Sequence, residues 1–350
     1  MIFIHQDPDL RDLLTIVGEA IGIDRALVEK DYWVTHTLWA LQSSGLDVWF
    51  KGGTSLSKGF GLIHRFSEDL DLRIEPGTAS GVSPIGSWSS TNRGPIRERR
   101  SFFESLGSSV NLPSATIILE TESIDKRSRG ARYRVEYPGL FLDDLGPEIR
   151  PFVLLEVGAA RVEPCVTRTL SSFVHNWLQE RRRLESFIDN RPRTRCVHPL
   201  VTLVEKLDAI SRRFSRDPIE PASFIRHYED AAQIVQLRSE LPHLSMETRE
   251  LIEDLVSSKQ IRKWPTSKDP AWLLQNESTR QQLLRAHQNI APMFWSERIP
   301  LLTCCGIIRN WLEAETARKP GRLKGKIRIA PDFDEPLPDS TATAFRGETD

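Results

Sequence analysis

Residues 49–74 read WFKGGTSLSKGFGLIHRFSEDLDLRI. An apolar run stops at Gly52-Gly53, a short helical segment follows, and the stretch closes on Asp69-Leu70-Asp71. Leu46–Phe50 reads as a strand, Thr54–Ile63 as a short helix and Leu70–Ile74 as a second strand. A glycine turn between strand and helix lets backbone N–H groups approach a ligand, and the first helical turn carries unpaired donors. It therefore reads as a phosphate cradle, with the Thr54 and Ser55 hydroxyls beside it. The spacing G-x-x-x-x-G-K-[ST] is absent, which excludes a Walker-type loop.

Residues i and i+2 of a strand share a face, so Asp69 and Asp71 project together while Leu70 and Leu72 turn to the core. Two adjacent carboxylates repel one another and resist burial, and a divalent cation removes the conflict. Carboxylate and phosphate oxygens are the ligands Mg²⁺ prefers. Two such ions about 4 Å apart suit in-line displacement at phosphorus. A polar turn with a solvated face is the plain alternative. Glu156 is a lone charge in the apolar run FVLLEVGA, and it is the candidate third carboxylate on a neighbouring strand.

Helical spacing predicts helices over 8–22 and 24–43, the second capped by Asp24. A Gly, Ser, Pro and Thr-rich loop is expected over 75–95, then strands over 115–124, 131–138 and 151–161. After Phe173 the pattern turns to helices: 198–214, 221–237, one near 246–258 and a long helical region over 278–317. The polar, Pro-rich end reads as an extended or disordered tail. The fold class is therefore α/β (α+β), a mixed sheet followed by a helical domain.

The chain has 350 residues and a formal net charge of −1, so no global field draws it to nucleic acid or membrane. Basic residues cluster at 97–100, 125–134, 180–185 and 191–195. Each cluster is either a solvated surface or, if several share a face, a footprint for an RNA backbone. Four cysteines without metal spacing read as reduced thiols. The N-terminus does not read as a signal peptide, and no segment approaches the roughly 18 apolar residues of a bilayer span. A cytoplasmic protein with no membrane partner is expected.

The stretch FKGGTSLSKGFGLIHRFSEDLDL over 50–72 resembles the nucleotidyltransferases of the AbiEii/AbiGii toxin family, in the polymerase-β-like superfamily. VEKDYWVTHTL at 28–38 resembles the helix before the glycine motif in that family. HPLVTLVEKLDAISRRF at 198–214 and HYEDAAQIV at 227–235 resemble its C-terminal lysine and aspartate motifs. The last reads RHYED where the family more commonly has RD.

The resemblance implies a polymerase-β-like nucleotidyltransferase domain over 1–165, with a helical domain over 166–317 completing the cleft and a tail over 318–350. It implies Mg²⁺ as cofactor and an NTP as co-substrate. Gly52, Gly53, Thr54, Ser55 and Ser67 would hold the triphosphate; Asp69, Asp71 and Glu156 would hold the metal. Lys206 would neutralise phosphate, and Asp230 would position nucleotide or acceptor. It further implies a toxin of a toxin–antitoxin or phage-defence pair, acting on an RNA acceptor such as the tRNA 3′ end, with a cognate antitoxin as partner. A protein or small-molecule hydroxyl as acceptor, or a non-catalytic binding module, are the rival readings. Lys30 and Asp31 either pair structurally or line the cleft. Arg65 either reaches phosphate or pairs with Glu68, and His64 is either a base or a surface residue.

Overall fold

A computed structural model describes residues 1–67, 69–146, 149–316 and 335–336. Met1–Glu315 forms one compact unit; of the second, Thr316–Asp350, little lies among the described residues, so the expected tail falls outside them. The helices are α1 (Leu10–Ile21), α2 (Arg25–Ser43), α3 (Gly52–Lys58), α4 (Arg93–Ser109), α5 (Phe173–Glu180), α6 (Pro199–Phe214), α7 (Arg226–Gln236), α8 (Thr248–Ser257), α9 (Pro270–Leu273), α10 (Glu277–Asn289) and α11 (Leu301–Thr316). The strands are β1 (Asp47–Lys51), β2 (Asp69–Glu75), β3 (Thr116–Glu120), β4 (Gly130–Glu136), β5 (Val153–Gly158), β6 (Cys165–Thr169) and β7 (Arg193–Val197).

The strands form one mixed sheet in the order β3-β4-β5-β2-β1-β7-β6. β2 runs parallel to β5 and β1 parallel to β7; the other neighbours are antiparallel. The strand alternation sorts the faces. Val48, Phe50, Leu70, Leu72, Ile74, Leu155, Val157 and Tyr133 are buried in a core shared with α1, α2, α4 and α5. Trp49, Lys51, Asp69, Asp71 and Glu156 take the other face. A second core joins α6, α7, α8, α10 and α11 around Tyr228, Leu207, Leu283 and Ile308. Leu56 of α3, with Leu62 and Ile63, packs into this second core. The glycine-opened helix is thus anchored on the helical side while the strands flanking it belong to the sheet.

The helix α2 runs through the first core, buried at every position from Val28 to Leu38. Buried charges cost free energy unless paired, and the charged groups here are paired. Glu29 accepts from the backbone N–H groups of Leu140 and Phe141 at 2.7 and 3.0 Å. Lys30 donates to the Arg150 carbonyl at 2.6 Å, and Asp31 pairs with Lys58 and accepts from Phe173 N. The conspicuous charges of this helix therefore tie down distant segments.

Four expectations change. The region 278–317 is two helices, separated by a segment holding Pro292 and Pro300, which cannot continue a helix. The stretch after Phe173 is not purely helical: β7 forms at 193–197, with Thr194 and Cys196 buried between outward Arg193 and Arg195. With β6 it extends the sheet beyond residue 165. The helix after the glycines starts at Gly52 and ends at Lys58, earlier at both ends than Thr54–Ile63. The helix α4 begins at Arg93, and Arg99 of its basic cluster is fully buried. All four cysteines are free thiols, and no described helix is long and apolar enough to cross a membrane.

Phe50 is fully buried where β1 meets the helical layer. Phe50→Ala should lower unfolding free energy by about 3–5 kcal/mol. Urea unfolding followed by circular dichroism measures it; a midpoint equal to wild type would contradict this packing.

Candidate active site

The register builds the site. Asp71 on β2 lies opposite Lys51 on β1 and opposite Glu156 on β5, and Glu156 lies opposite Arg132 on β4. Four charged side chains thus form one row across four strands, with two carboxylates at its centre. Burial first, with the Asp69 charge adding to it against the pull of Lys51, raises the Asp71 carboxyl above its ordinary range. Burial first, then the charges of Asp71 and Asp69, raises Glu156. Lys51 is also tied to Glu205 on α6 at 3.3 Å.

Gly52 sits at φ +77°, a conformation that side chains rarely adopt. A Cβ there would overlap Asp71 Oδ2, so the glycine is required by the neighbouring carboxylate as well as by the turn. A Cβ on Gly53 would lie 2.7 Å from Ser67 Oγ and 2.9 Å from Arg65 Nη2. The Thr54 hydroxyl donates to the carbonyls of Ser67 and Asp69 at 3.0 and 2.7 Å, and Ser55 Oγ donates to Phe50 O. Both hydroxyls are buried in holding the helix start against β1 and β2.

Across the turn lies a second charge cluster. Arg65 Nε and Nη2 donate to the two oxygens of Asp230 on α7, each at 2.7 Å. Lys206 on α6 donates to Asp230 Oδ2, also at 2.7 Å. All three are buried. Burial alone would raise the Asp230 carboxyl, but Arg65 and Lys206 overcome that and hold it well below the usual range. Burial, and then the Arg65 charge against the pull of Asp230, lowers Lys206. Two cations share one carboxylate, so the cluster leaves positive charge beside the cleft. Its neighbour Glu229 is occupied elsewhere, accepting from Arg298 at 2.7 Å and from Ile299 N at 3.0 Å.

A cavity of about 260 Å³ joins these parts. Its walls include Gly52, Gly53, Arg65, Ser67, Asp69, Asp71, Glu156 and Lys206, with Arg213, Arg226 and His227 from the helical side. Of the residues expected from sequence, Thr54, Ser55 and Asp230 lie behind this wall rather than on it. Lys51, Arg213 and Arg226 were missing from the expected set. A signal existed for one: Thr202, Lys206, Ala209 and Arg213 repeat at helical spacing and share one face. Arg65 pairs with Asp230, and His64 is exposed.

The three carboxylates are not closed into a preformed ligand set: among the described residues no group of three His, Cys, Asp or Glu is tight enough to hold a metal ion. Asp69 Oδ1 is turned to Arg150 Nη1 at 2.9 Å. The donor chemistry nonetheless fits a hard cation, since Asp71 and Glu156 face each other with raised carboxyls that a divalent charge would relieve.

A glycine-opened helix start, paired strand carboxylates and shared cations thus meet at one cavity. The chain belongs to the AbiEii family: the model described as nucleotidyl transferase AbiEii toxin, type IV TA system, matches residues 37–336. No curated protein matches the chain.

Two outcomes follow from this charge arrangement. Asp230→Asn strands Arg65 and Lys206 without their carboxylate and should cost about 3–5 kcal/mol of stability by denaturant titration. Because its carboxyl is depressed on folding, Asp230 contributes stability above its unfolded value, near pH 3.9, that is lost as pH falls through the lower folded value. The variant should therefore have a flatter acid limb, and an unchanged limb would contradict the pairing. Glu156 has the opposite sign: its raised carboxyl makes the ionised form unfavourable, so it lowers stability once pH rises through the folded value. Glu156→Gln should raise the melting temperature at pH 7 in the presence of a chelator; a lower value would contradict the crowding of charge.

Proposed function

We propose that the protein transfers a nucleoside monophosphate from an NTP to a hydroxyl at an RNA 3′ end, that of tRNA, and acts as a Mg²⁺-dependent toxin with a cognate antitoxin. The observation that carries this reading is the register that sets Asp71 opposite Glu156, next to a glycine-opened helix start.

In this reading the backbone N–H groups at Gly52 and Gly53 and the Ser67 hydroxyl bind the β- and γ-phosphates. Arg65 and Lys206, preorganised by Asp230, offset the charge gathering on the departing pyrophosphate. Thr54 and Ser55 serve indirectly, by fixing the helix start. Asp69, Asp71 and Glu156 hold divalent cation, with Asp69 released from Arg150. Bound there, a divalent cation supplies a lowered pKa for the attacking hydroxyl and neutralises the transferring phosphoryl group. Arg213 and Arg226 extend the basic wall on the helical side.

The test incubates the purified protein with Mg²⁺, each labelled NTP in turn, and total tRNA. Label should appear on RNA, and Asp69→Ala or Glu156→Gln should reduce transfer by at least about a hundredfold. Transfer that survives these substitutions would overturn the mechanism. Label on protein or on a small molecule would move the acceptor and leave the site roles standing.

A further inference from the structure

A second and larger cavity, about 640 Å³, opens from the same carboxylates in the other direction. It shares Lys51, Asp71 and Glu156 with the first and runs across β5 and β4 to the β3–β4 hairpin loop. Its floor is unusual. Gly130 and Gly158 lie directly opposite one another, each two residues from Arg132 and Glu156 and so on the same open face. The pair leaves a notch without side chains immediately beside Glu156. Arg129 and Arg132 line it; Glu122, Ser123 and Asp125 form its outer end.

The hairpin loop is preorganised. The guanidinium of Arg99 is fully buried and donates to the carbonyls of Ser128 at 3.0 Å and of Arg127, Ser90 and Ser87. Asp125 Oδ1 accepts from Arg129 N at 2.7 Å, so one of the acids is committed to the turn. Arg129 donates Nη2 to Ser89 O and keeps a buried Nε with no hydrogen-bond partner among the described residues. Arg132 is half exposed, with Glu120 at 3.4 Å as its ion-pair partner. Lys126 and Arg127 stand exposed at the tip.

Geometry assigns a direction to this groove. In-line displacement needs the nucleophile opposite the leaving group. Gly52, Gly53, Arg65 and Lys206 gather on the β1 and α6 side of Asp71, which is where the pyrophosphate leaves. The hydroxyl must therefore arrive from the β5 and β4 side. We infer that the Gly130–Gly158 notch seats the last nucleotide of a single-stranded RNA 3′ end, with Arg129 and Arg132 on its phosphates. The inference rests on the transfer reading above and adds the path of the acceptor. Arginine is suited to phosphate by its fork of donors, and a floor of bare backbone admits a ribose without clashing with side chains.

Two substitutions test it without altering a carboxylate. Arg132→Glu reverses a half-exposed charge. Gly130→Val fills the notch: a Cβ there meets nothing closer than Val157 O at 3.4 Å, and its φ is outside the left-handed region, so the strand accepts it. The probe is a 5′-fluorescent RNA with a free single-stranded 3′ end, titrated with full-length protein at several salt concentrations. NTP binding is measured in parallel by calorimetry. Arg132→Glu should weaken RNA binding about tenfold and reduce the salt slope by about one. Gly130→Val should weaken binding of the 3′ end comparably. Wild-type RNA affinity in both variants would overturn the groove. If wild type transfers label to RNA while both variants bind and react normally, the groove falls and the transfer reading stands. If wild type binds RNA and both variants lose it, yet no NTP yields transfer, the groove stands and the transfer reading falls. Loss of protein labelling in the variants, with RNA binding intact, would overturn RNA as the occupant.

Discussion

One buried carboxylate, Asp230, decides how the helical region meets the sheet. It accepts two bonds from Arg65, on the segment leading into β2, and one from Lys206 on α6. Burying two cations and one anion is unfavourable unless the geometry is close and every donor finds an acceptor. Here the distances are all 2.7 Å, and the depressed Asp230 carboxyl expresses the same balance. The cluster keeps excess positive charge at the cleft, on the side where the glycine-opened helix begins. Structural linkage and, in the proposed function, anion recognition use the same three side chains.

The second constraint is steric. Gly52 and Asp71 cannot both keep their places if either gains bulk, because a Cβ at 52 would overlap the carboxylate. The turn, the helix start and the acidic strand form one unit. Thr54 fastens it by reaching the carbonyls of Ser67 and Asp69. Leu56 then locks the other side of the helix into the second core. Small shifts of α6 and α7 would be transmitted to the carboxylates through this helix, since packed cores deform little.

Much of this was legible in the sequence because it is local. The β1–α3–β2 unit follows from strand alternation, a glycine pair and a helical spacing, and its ends fall within a few residues of expectation. Glu156 stood out as a lone charge in an apolar strand, and its register opposite Asp71 brings it to the same row. What failed was non-local or masked by charge. The strand β7 was hidden because its outward positions are arginines, which made a strand read as a basic cluster. The partner of Arg65 lies 165 residues away, while sequence proximity offered Glu68. Lys206 was expected at the cleft but not as a buried group sharing a carboxylate, since helical spacing cannot reveal what packs above it. The hydroxyls of Thr54 and Ser55 were assigned to a ligand; the fold uses them for itself.

The central claim is that one row of strand carboxylates and one helix start bind metal and triphosphate together. Its most direct measurement is a crystal of the wild-type protein soaked with Mn²⁺ and a non-hydrolysable NTP analogue, read by anomalous scattering. The account predicts Mn²⁺ density bounded by Asp69, Asp71 and Glu156, Asp69 turned away from Arg150, and β- and γ-phosphates against Gly52, Gly53 and Ser67. Mn²⁺ bound elsewhere, or a triphosphate seated away from the glycine turn, would contradict it.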